Sequence, residues 1–132
     1  MTKEETIIGR LKELLLTEYN TMIEEDNRAR NDGDDLQKLT DVFIETGSGR
    51  LPYVRITLHS GEHTEKDRIL RNTVYTVGIR IVTVESKESW RTKARYRELL
   101  NALIEAHRRD ANWESIRLSG FRGDESTLRV TG

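Results

Sequence analysis

The sequence predicts an α+β domain, in which a mostly antiparallel sheet of about four to five strands is packed by two helices in the order α-β-β-β-α-β-β. Residues 73–84, T-V-Y-T-V-G-I-R-I-V-T-V, alternate apolar and polar positions, as a strand with one buried face does. Residues 86–109 then change to the helical period. A second amphipathic segment begins the chain. A strand that leads into such a helix forms a two-layer α/β unit.

The first helix is predicted from Lys3 to about Glu24. Thr2 and Glu5 have the spacing of a capping box. A broad apolar stripe follows, made of Ile7, Ile8, Leu11, Leu14, Leu15, Tyr19, Met22 and Ile23. Residues 24–35, E-E-D-N-R-A-R-N-D-G-D-D, have no apolar residue beyond Ala29 and are predicted to form a flexible acidic loop. Their Asp and Asn spacing does not fit the alternating ligands of an EF-hand calcium loop.

Two strands are predicted before the central one. Val42–Ile44 is short and is followed by the Gly47-Ser48-Gly49 turn, whereas Leu51–Leu58 shows clear alternation after Pro52, a residue suited to a strand start. Residues 59–72 read as a polar connection without a crossover helix. We therefore expect these strands to pair antiparallel.

The second helix is predicted to begin at Ser86, an N-cap residue, with Glu88 in its first turn. Its apolar side comprises Thr92, Tyr96, Leu99, Leu100, Leu103, Ile104 and His107. The alternation in residues 113–121 and in residues 127–131, around a turn at 120–124, predicts a terminal hairpin.

Length and composition predict one domain, residues 1–132. The chain has no cysteine, which excludes disulfides, cysteine metal sites and a thiol nucleophile. It also has no apolar run of membrane-spanning length and no signal-peptide pattern at its start. Together these features predict an intracellular protein with no membrane partner.

Charge is distributed unevenly, although the net charge is only −1. Residues 1–45 hold 6 basic and 12 acidic side chains, a net of −6, and residues 46–132 hold 16 basic and 11 acidic ones, a net of +5. One interpretation is random surface composition. The other is head-to-tail association of identical subunits, acidic surface to basic surface.

No catalytic constellation is evident, and no cofactor is expected. His59-Ser60-Gly61-Glu62-His63 departs from the H-E-x-x-H spacing that places two histidines on one helix face, so these histidines are predicted to be loop residues. His107 is predicted to lie at the edge of the core with a hydrogen-bond partner. Gly47–Gly49 lacks the rest of a phosphate-binding loop.

Basic residues recur in the second helix, at Arg91, Lys93, Arg95 and Arg97. They are scattered around more than half of the helix circumference, and glutamates lie within pairing distance of two of them. A solvated or protein-facing surface is therefore favoured, and nucleic-acid binding is not.

The order of elements, together with L-P-Y-V-R-I at 51–56 and Y-T-V-G-I-R-I at 75–81 before a long helix, resembles the tail terminator and tail completion proteins of long-tailed bacteriophages and prophages. The resemblance covers residues 2–130. It implies a structural protein, not an enzyme, that forms a ring homo-oligomer, typically a hexamer, on the last ring of the tail tube and stops its polymerisation. The implied partners are other copies of itself, the tail tube protein and a head or neck connector protein. The implied location is the tail–neck region of the virion, after the cytoplasm of the bacterial host.

An interface is predicted at Trp90, Arg91 and Arg95, because the two arginines lie one turn apart, away from the apolar stripe, and surface tryptophans often anchor interfaces. Trp90 could equally cover the end of the preceding strand.

Two alternative functions stay open. One is a small α+β nucleic-acid-binding module, which requires a contiguous basic face, and the other is a small metal-dependent enzyme that uses the His59–His63 loop.

Overall fold

The computed structural model describes residues 2–63, 73–84 and 89–132. Within them lie three helices, α1 (Lys3–Leu16), α2 (Glu18–Arg30) and α3 (Ser89–Ala106). The same residues form five strands, β1 (Val42–Ile44), β2 (Tyr53–His63), β3 (Thr73–Val82), β4 (Ser115–Arg122) and β5 (Glu125–Thr131). The strands make one sheet in the order β1-β2-β3-β5-β4, which confirms the predicted α+β class.

The sheet is mixed. The neighbours β2–β3, β3–β5 and β5–β4 are antiparallel, but β1 pairs with β2 in parallel, with Val42 opposite Val54. The expected antiparallel pairing is therefore confirmed for β2 and β3, which the 59–72 connection joins, but it is wrong for β1 and β2. A parallel pair normally requires a long crossover, but a strand of three residues is only about 10 Å long, so residues 45–52 suffice to return the chain to the start of β2.

The predicted first helix is interrupted at Thr17, whose backbone is non-helical at φ −111° and ψ −80°. The chain resumes as α2 and stays helical to Arg30, so the predicted acidic loop is wrong for residues 24–30. Within the predicted loop, only residues 31–35 are irregular, and all five are exposed.

Two asparagines hold α2 in place, although the second half of this helix has no apolar stripe. The side chain of Asn20 bonds both the N–H and the carbonyl of Leu39, at 2.8 and 3.1 Å. Asn27 does the same for Leu36, at 2.8 Å in both bonds. Leu36 and Leu39 are themselves buried, so α2 is fixed by polar contacts with a segment that is anchored in the core.

All three helices pack on the same face of the sheet, and the core lies between the two layers. The helices contribute Ile7, Leu11, Leu14, Leu15, Tyr19, Ile23, Tyr96, Leu100, Leu103 and Ile104, and the sheet contributes Val54, Ile56, Tyr75, Val77, Ile79, Ile116, Leu128 and Val130. The predicted apolar positions of both amphipathic segments are thus confirmed. No helix in the described part of the chain has the length and hydrophobicity to cross a membrane.

The strand boundaries differ from the predicted ones. β2 extends to His63, so His59–His63 belongs to a strand rather than to a connection. The remainder of that connection, residues 64–72, and the predicted helix cap at Ser86 and Glu88 lie outside the described residues. The terminal hairpin is confirmed, and its second strand lies between β3 and β4.

Candidate functional site

The face of the sheet opposite the helices carries no helix in the described part of the chain. Strand alternation and register assign its positions, which we call the uncovered face: Arg55, Thr57 and His59 on β2, Thr76, Gly78 and Arg80 on β3, Glu125, Thr127 and Arg129 on β5, and Ser115, Arg117 and Arg122 on β4. No helix of the described ranges packs on it, and the loop after β1 covers its end at Phe43 and Arg55.

Arginines of neighbouring strands oppose one another on the uncovered face. Arg55 stands opposite Arg80, and Arg117 stands opposite Arg129. Like charges at directly opposed positions destabilise a sheet. Arg80 and Arg117 are exposed, Arg129 is half-buried, and none of the three forms an ion pair with any residue that the structure describes. The fold therefore brings these arginines to one surface without giving them an ion-pair partner among the described residues.

Arg55 is held in place by the loop that follows β1. One of its terminal nitrogens donates to the carbonyl of Gly47 at 2.6 Å, and its guanidinium lies 5.9 Å from the centre of the Tyr53 ring. Gly47 in turn has a positive φ of 123°, and a Cβ there would lie 2.7 Å from the Phe43 ring. The G-S-G segment thus has a structural role, closing the loop over Phe43.

A histidine–carboxylate pair crosses the middle of the uncovered face. His59 Nε2 lies 2.6 Å from Glu125 Oε1. The pair lies across β3 at Gly78, where a Cβ would approach His59 Nε2 to 2.8 Å and the Glu125 carboxylate more closely still. A side chain at position 78 would push the ends of His59 and Glu125 aside, so the glycine makes room for this pair. Glu125 also stands opposite Arg80 on one side and Arg122 on the other.

The metal-site hypothesis places a metal at His59 and His63 of β2. His59 is occupied by a carboxylate from another strand, and no group of three or more possible metal ligands occurs in the described ranges. The second histidine of the segment, His63, ends β2.

The uneven charge along the sequence is partly reflected in space. The positions listed for the uncovered face include five arginines, Arg55, Arg80, Arg117, Arg122 and Arg129, and one carboxylate, Glu125. The helices on the other side carry both signs: α2 has a net charge of −2, from four carboxylates and two arginines, whereas α3 has a net charge of +2, from four basic and two acidic residues. The contrast in charge is therefore between the basic uncovered face and residues 24–35, which hold six carboxylates and two arginines.

The predicted interface residues do not form one surface. The Trp90 side chain is 64% exposed and the Arg91 guanidinium lies 5.2 Å from its ring centre. Arg95, in contrast, has a side chain only 12% exposed. It reaches Asp26 at 3.0 Å and donates to the carbonyl of Asp34 at 2.5 Å. Its assignment as an accessible interface residue is wrong, because α2 continues far enough to place Asp26 against α3.

The other basic residues of α3 are also engaged within the chain. Lys93 pairs with Asp124 at 3.2 Å, and the Arg97 guanidinium lies 3.9 Å from the centre of the Phe121 ring. Three of the four basic residues in the run, Lys93, Arg95 and Arg97, therefore contact α2 or the terminal hairpin, whereas Arg91 stays exposed beside Trp90.

Three carboxyl groups have lowered pKa values, and for Glu24 the main cause is the hydrogen bond from Lys38. Burial of Asp26 opposes its ionisation, but hydrogen bonds from Arg95 and Arg30 outweigh burial and lower its pKa. Burial likewise opposes ionisation of Asp110, and hydrogen bonds from Asn112 and Arg10 lower its pKa. Asp26 thus joins α2 to α3, and Asp110 joins α1 to the chain that follows α3.

His107 follows α3 at the core edge and pairs with Glu18 of α2, as predicted. Its carbonyl accepts the indole N–H of Trp113 at 2.9 Å. This histidine therefore joins both amphipathic segments to the start of the hairpin.

The arginines of the uncovered face were missed as a group by sequence reasoning. The available signal was their position in the polar rows of alternating strands, at Arg55, Arg80 and Arg117. Strand order was needed to bring those rows together.

No protein-family model, curated protein or solved structure significantly matches the chain.

Proposed function

We propose that this chain is a structural protein that assembles into a ring homo-oligomer at the end of a phage or prophage tail tube, as a tail terminator or head–tail joining protein. The uncovered face is the observation that carries the proposal. It holds mutually opposed arginines that form no ion pair with any described residue, on the side of the sheet opposite α2, which carries a net charge of −2. Contact between two different faces of identical subunits is heterologous, and such contacts generate rings when the rotation closes.

The residues behind the phage-protein resemblance contribute to this face. L-P-Y-V-R-I leads into β2 and Y-T-V-G-I-R-I forms most of β3, and the arginines of the two segments, Arg55 and Arg80, stand directly opposite each other. The proposal accordingly includes the tail tube protein and a head or neck connector protein as partners. The exposed Trp90 and its neighbour Arg91 offer a second surface for one of them.

Native mass spectrometry of the purified chain, alone and with tail tube protein, tests the assembly. We expect a ring-sized oligomer, and electron microscopy should show that tubes stop growing when the chain is added. A monomer under every condition, together with unchanged tube lengths, would refute the proposal.

A nucleic-acid-binding module is the second candidate, because a contiguous basic face is the feature that this function requires. Against it, Glu125 lies among the arginines, the exposed aromatic residues Trp90 and Phe121 lie elsewhere, and Tyr53, the aromatic residue beside Arg55, is buried and therefore poorly placed to stack on bases. Fluorescence anisotropy with DNA and RNA oligonucleotides measures this directly. Tight binding that weakens steeply as salt rises would favour this candidate.

A further inference from the structure

We infer that the uncovered face docks the acidic segment of a second copy, where the acidic segment is residues 24–35, the C-terminal half of α2 and the irregular chain after it. The inference rests on the proposed ring assembly and names the two surfaces that meet in it. Charge complementarity between these surfaces identifies the occupant.

The acidic segment is the most negative part of the chain. It holds six carboxylates, Glu24, Glu25, Asp26, Asp32, Asp34 and Asp35, against two arginines, Arg28 and Arg30, for a net of −4. Two of the carboxylates are neutralised internally: Glu24 lies 2.5 Å from Lys38, and Asp26 contacts Arg95 and Arg30. The remaining four form the surface in question.

These four carboxylates, Glu25, Asp32, Asp34 and Asp35, are all exposed. Asp34 has a side chain 84% exposed, with its nearest cation, Arg95, 4.0 Å away. The other three form no ion pair with any residue in the described ranges. The uncovered face presents four arginines that form no ion pair with any described residue; Arg80, Arg117 and Arg122 are exposed, and Arg129 is half-buried. Each surface therefore carries unpaired charge of the sign that the other lacks.

The acidic segment is held in a fixed shape. Arg95 donates to the carbonyl of Asp34, Asn27 bonds the backbone of Leu36, and the Asp32 carboxylate accepts the N–H of Asp34 at 3.0 Å. Because the backbone is already positioned, docking loses less conformational entropy than docking of a disordered loop. The charged side chains are presented on a rigid support.

The two surfaces cannot satisfy each other within one chain. α2 packs on the helical side of the sheet, and the uncovered face looks away from it. The contact must therefore join different copies. Since the two surfaces are not the same patch, a docked pair of copies leaves one surface of each kind free. The contact can therefore repeat, and it forms a ring where the rotation between copies closes.

Charge reversal on each surface tests the inference. One variant carries Arg117→Glu with Arg129→Glu on the uncovered face, and the other carries Asp32→Lys with Asp35→Lys in the acidic segment. Each should weaken self-association about tenfold or more at low salt, because it juxtaposes like charges across the interface. A combined variant with all four substitutions restores opposite charges and should assemble again. The matched control is Arg108→Glu with Arg109→Glu, two exposed arginines outside both surfaces.

Association is measured by light scattering and native mass spectrometry over a salt series, and folding of each variant is checked by circular dichroism. If a reversal variant does not fold, Arg117→Gln with Arg129→Gln replaces it and should reduce both the association constant and its dependence on salt. Restoration of assembly in the combined variant, with the control unchanged, supports the inference.

Three results would overturn it. If wild type forms rings and the uncovered-face variant forms them equally well, the docking inference fails and the ring proposal stands. If that variant instead loses oligonucleotide binding while its oligomeric state is unchanged, the uncovered face is a nucleic-acid surface. If wild type does not assemble with or without tail tube protein, the ring proposal fails and the inference fails with it.

Discussion

Arg95 is predicted from the sequence to lie in an interface, but its contacts within the chain indicate a role in stability. Replacing Arg95 by glutamate should therefore destabilise the fold. Arg95 projects from α3 and contacts Asp26 of α2 at 3.0 Å and the carbonyl of Asp34 at 2.5 Å. It therefore fixes the end of α2 and the chain after it against α3. A glutamate there removes both bonds and places a second carboxylate beside Asp26.

The magnitude follows from these contacts. A hydrogen bond to a charged group contributes about 1.5–3 kcal/mol, and a partner left unpaired adds its desolvation cost. Asp26 is 24% exposed and keeps Arg30 at 3.1 Å, which offsets part of the loss. We expect Arg95→Glu to lower the free energy of unfolding by about 2–3 kcal/mol, and Arg95→Met, which retains the packing of the side-chain stem, by about 1–2 kcal/mol.

Urea denaturation followed by circular dichroism measures both losses. The control is Arg91→Glu, an exposed site on the same helix, which should change stability by less than about 0.5 kcal/mol. A double-mutant cycle with Asp26→Asn isolates the pairwise energy. If Arg95→Glu is as stable as Arg91→Glu, or the coupling with Asp26 is zero, the contacts between α2 and α3 do not hold the acidic segment as described.

Three further measurements examine the core, the carboxylates and α2. Leu103→Ala truncates a fully buried side chain and should cost about 2–5 kcal/mol in urea melts; a loss below about 1 kcal/mol would mean that α3 is packed differently. The pKa of Asp26 and of Asp110 is lowered from 3.8 in the folded state, so each stabilises the fold above that value and the stabilisation is lost as pH falls through the folded-state pKa. Urea midpoints measured from neutral pH to below about pH 4 should therefore fall less steeply for Asp26→Asn and Asp110→Asn than for wild type, and an unchanged slope would contradict these shifts. Amide hydrogen exchange should show stronger protection in residues 24–30 than in residues 31–35, because only the former are helical; equally fast exchange in both would restore the interpretation as a loop.

Local sequence determined the elements with strong periodicity. The period of two in residues 73–82 and the helical period after it each require one buried face, so β3 and α3 follow from the order of apolar residues alone. The N-terminal cap is equally local, since Thr2 accepts the N–H of Glu5 at 3.2 Å, three residues away. His107 was placed correctly because the same periodicity puts it at the margin of the apolar side.

Tertiary contacts determined α2 and β1. Asn20 and Asn27 bond the backbone of residues 36–39, and Arg95 reaches Asp26 from another helix, so residues 24–30 are held by partners that no local pattern specifies. β1 is too short for its direction to be read from alternation, and its parallel pairing depends on how the loop after it returns.

The uncovered face shows the same division between local and long-range causes. The sequence by itself determined which residues of each strand share a side, because successive side chains alternate about the backbone. Only the tertiary structure decided that β5 lies between β3 and β4, and that Arg55, Arg80, Arg117 and Arg129 consequently share one surface. Strand order is decided by packing between residues far apart in the chain, and the helices bury one side of the sheet, which leaves the arginines together on the other.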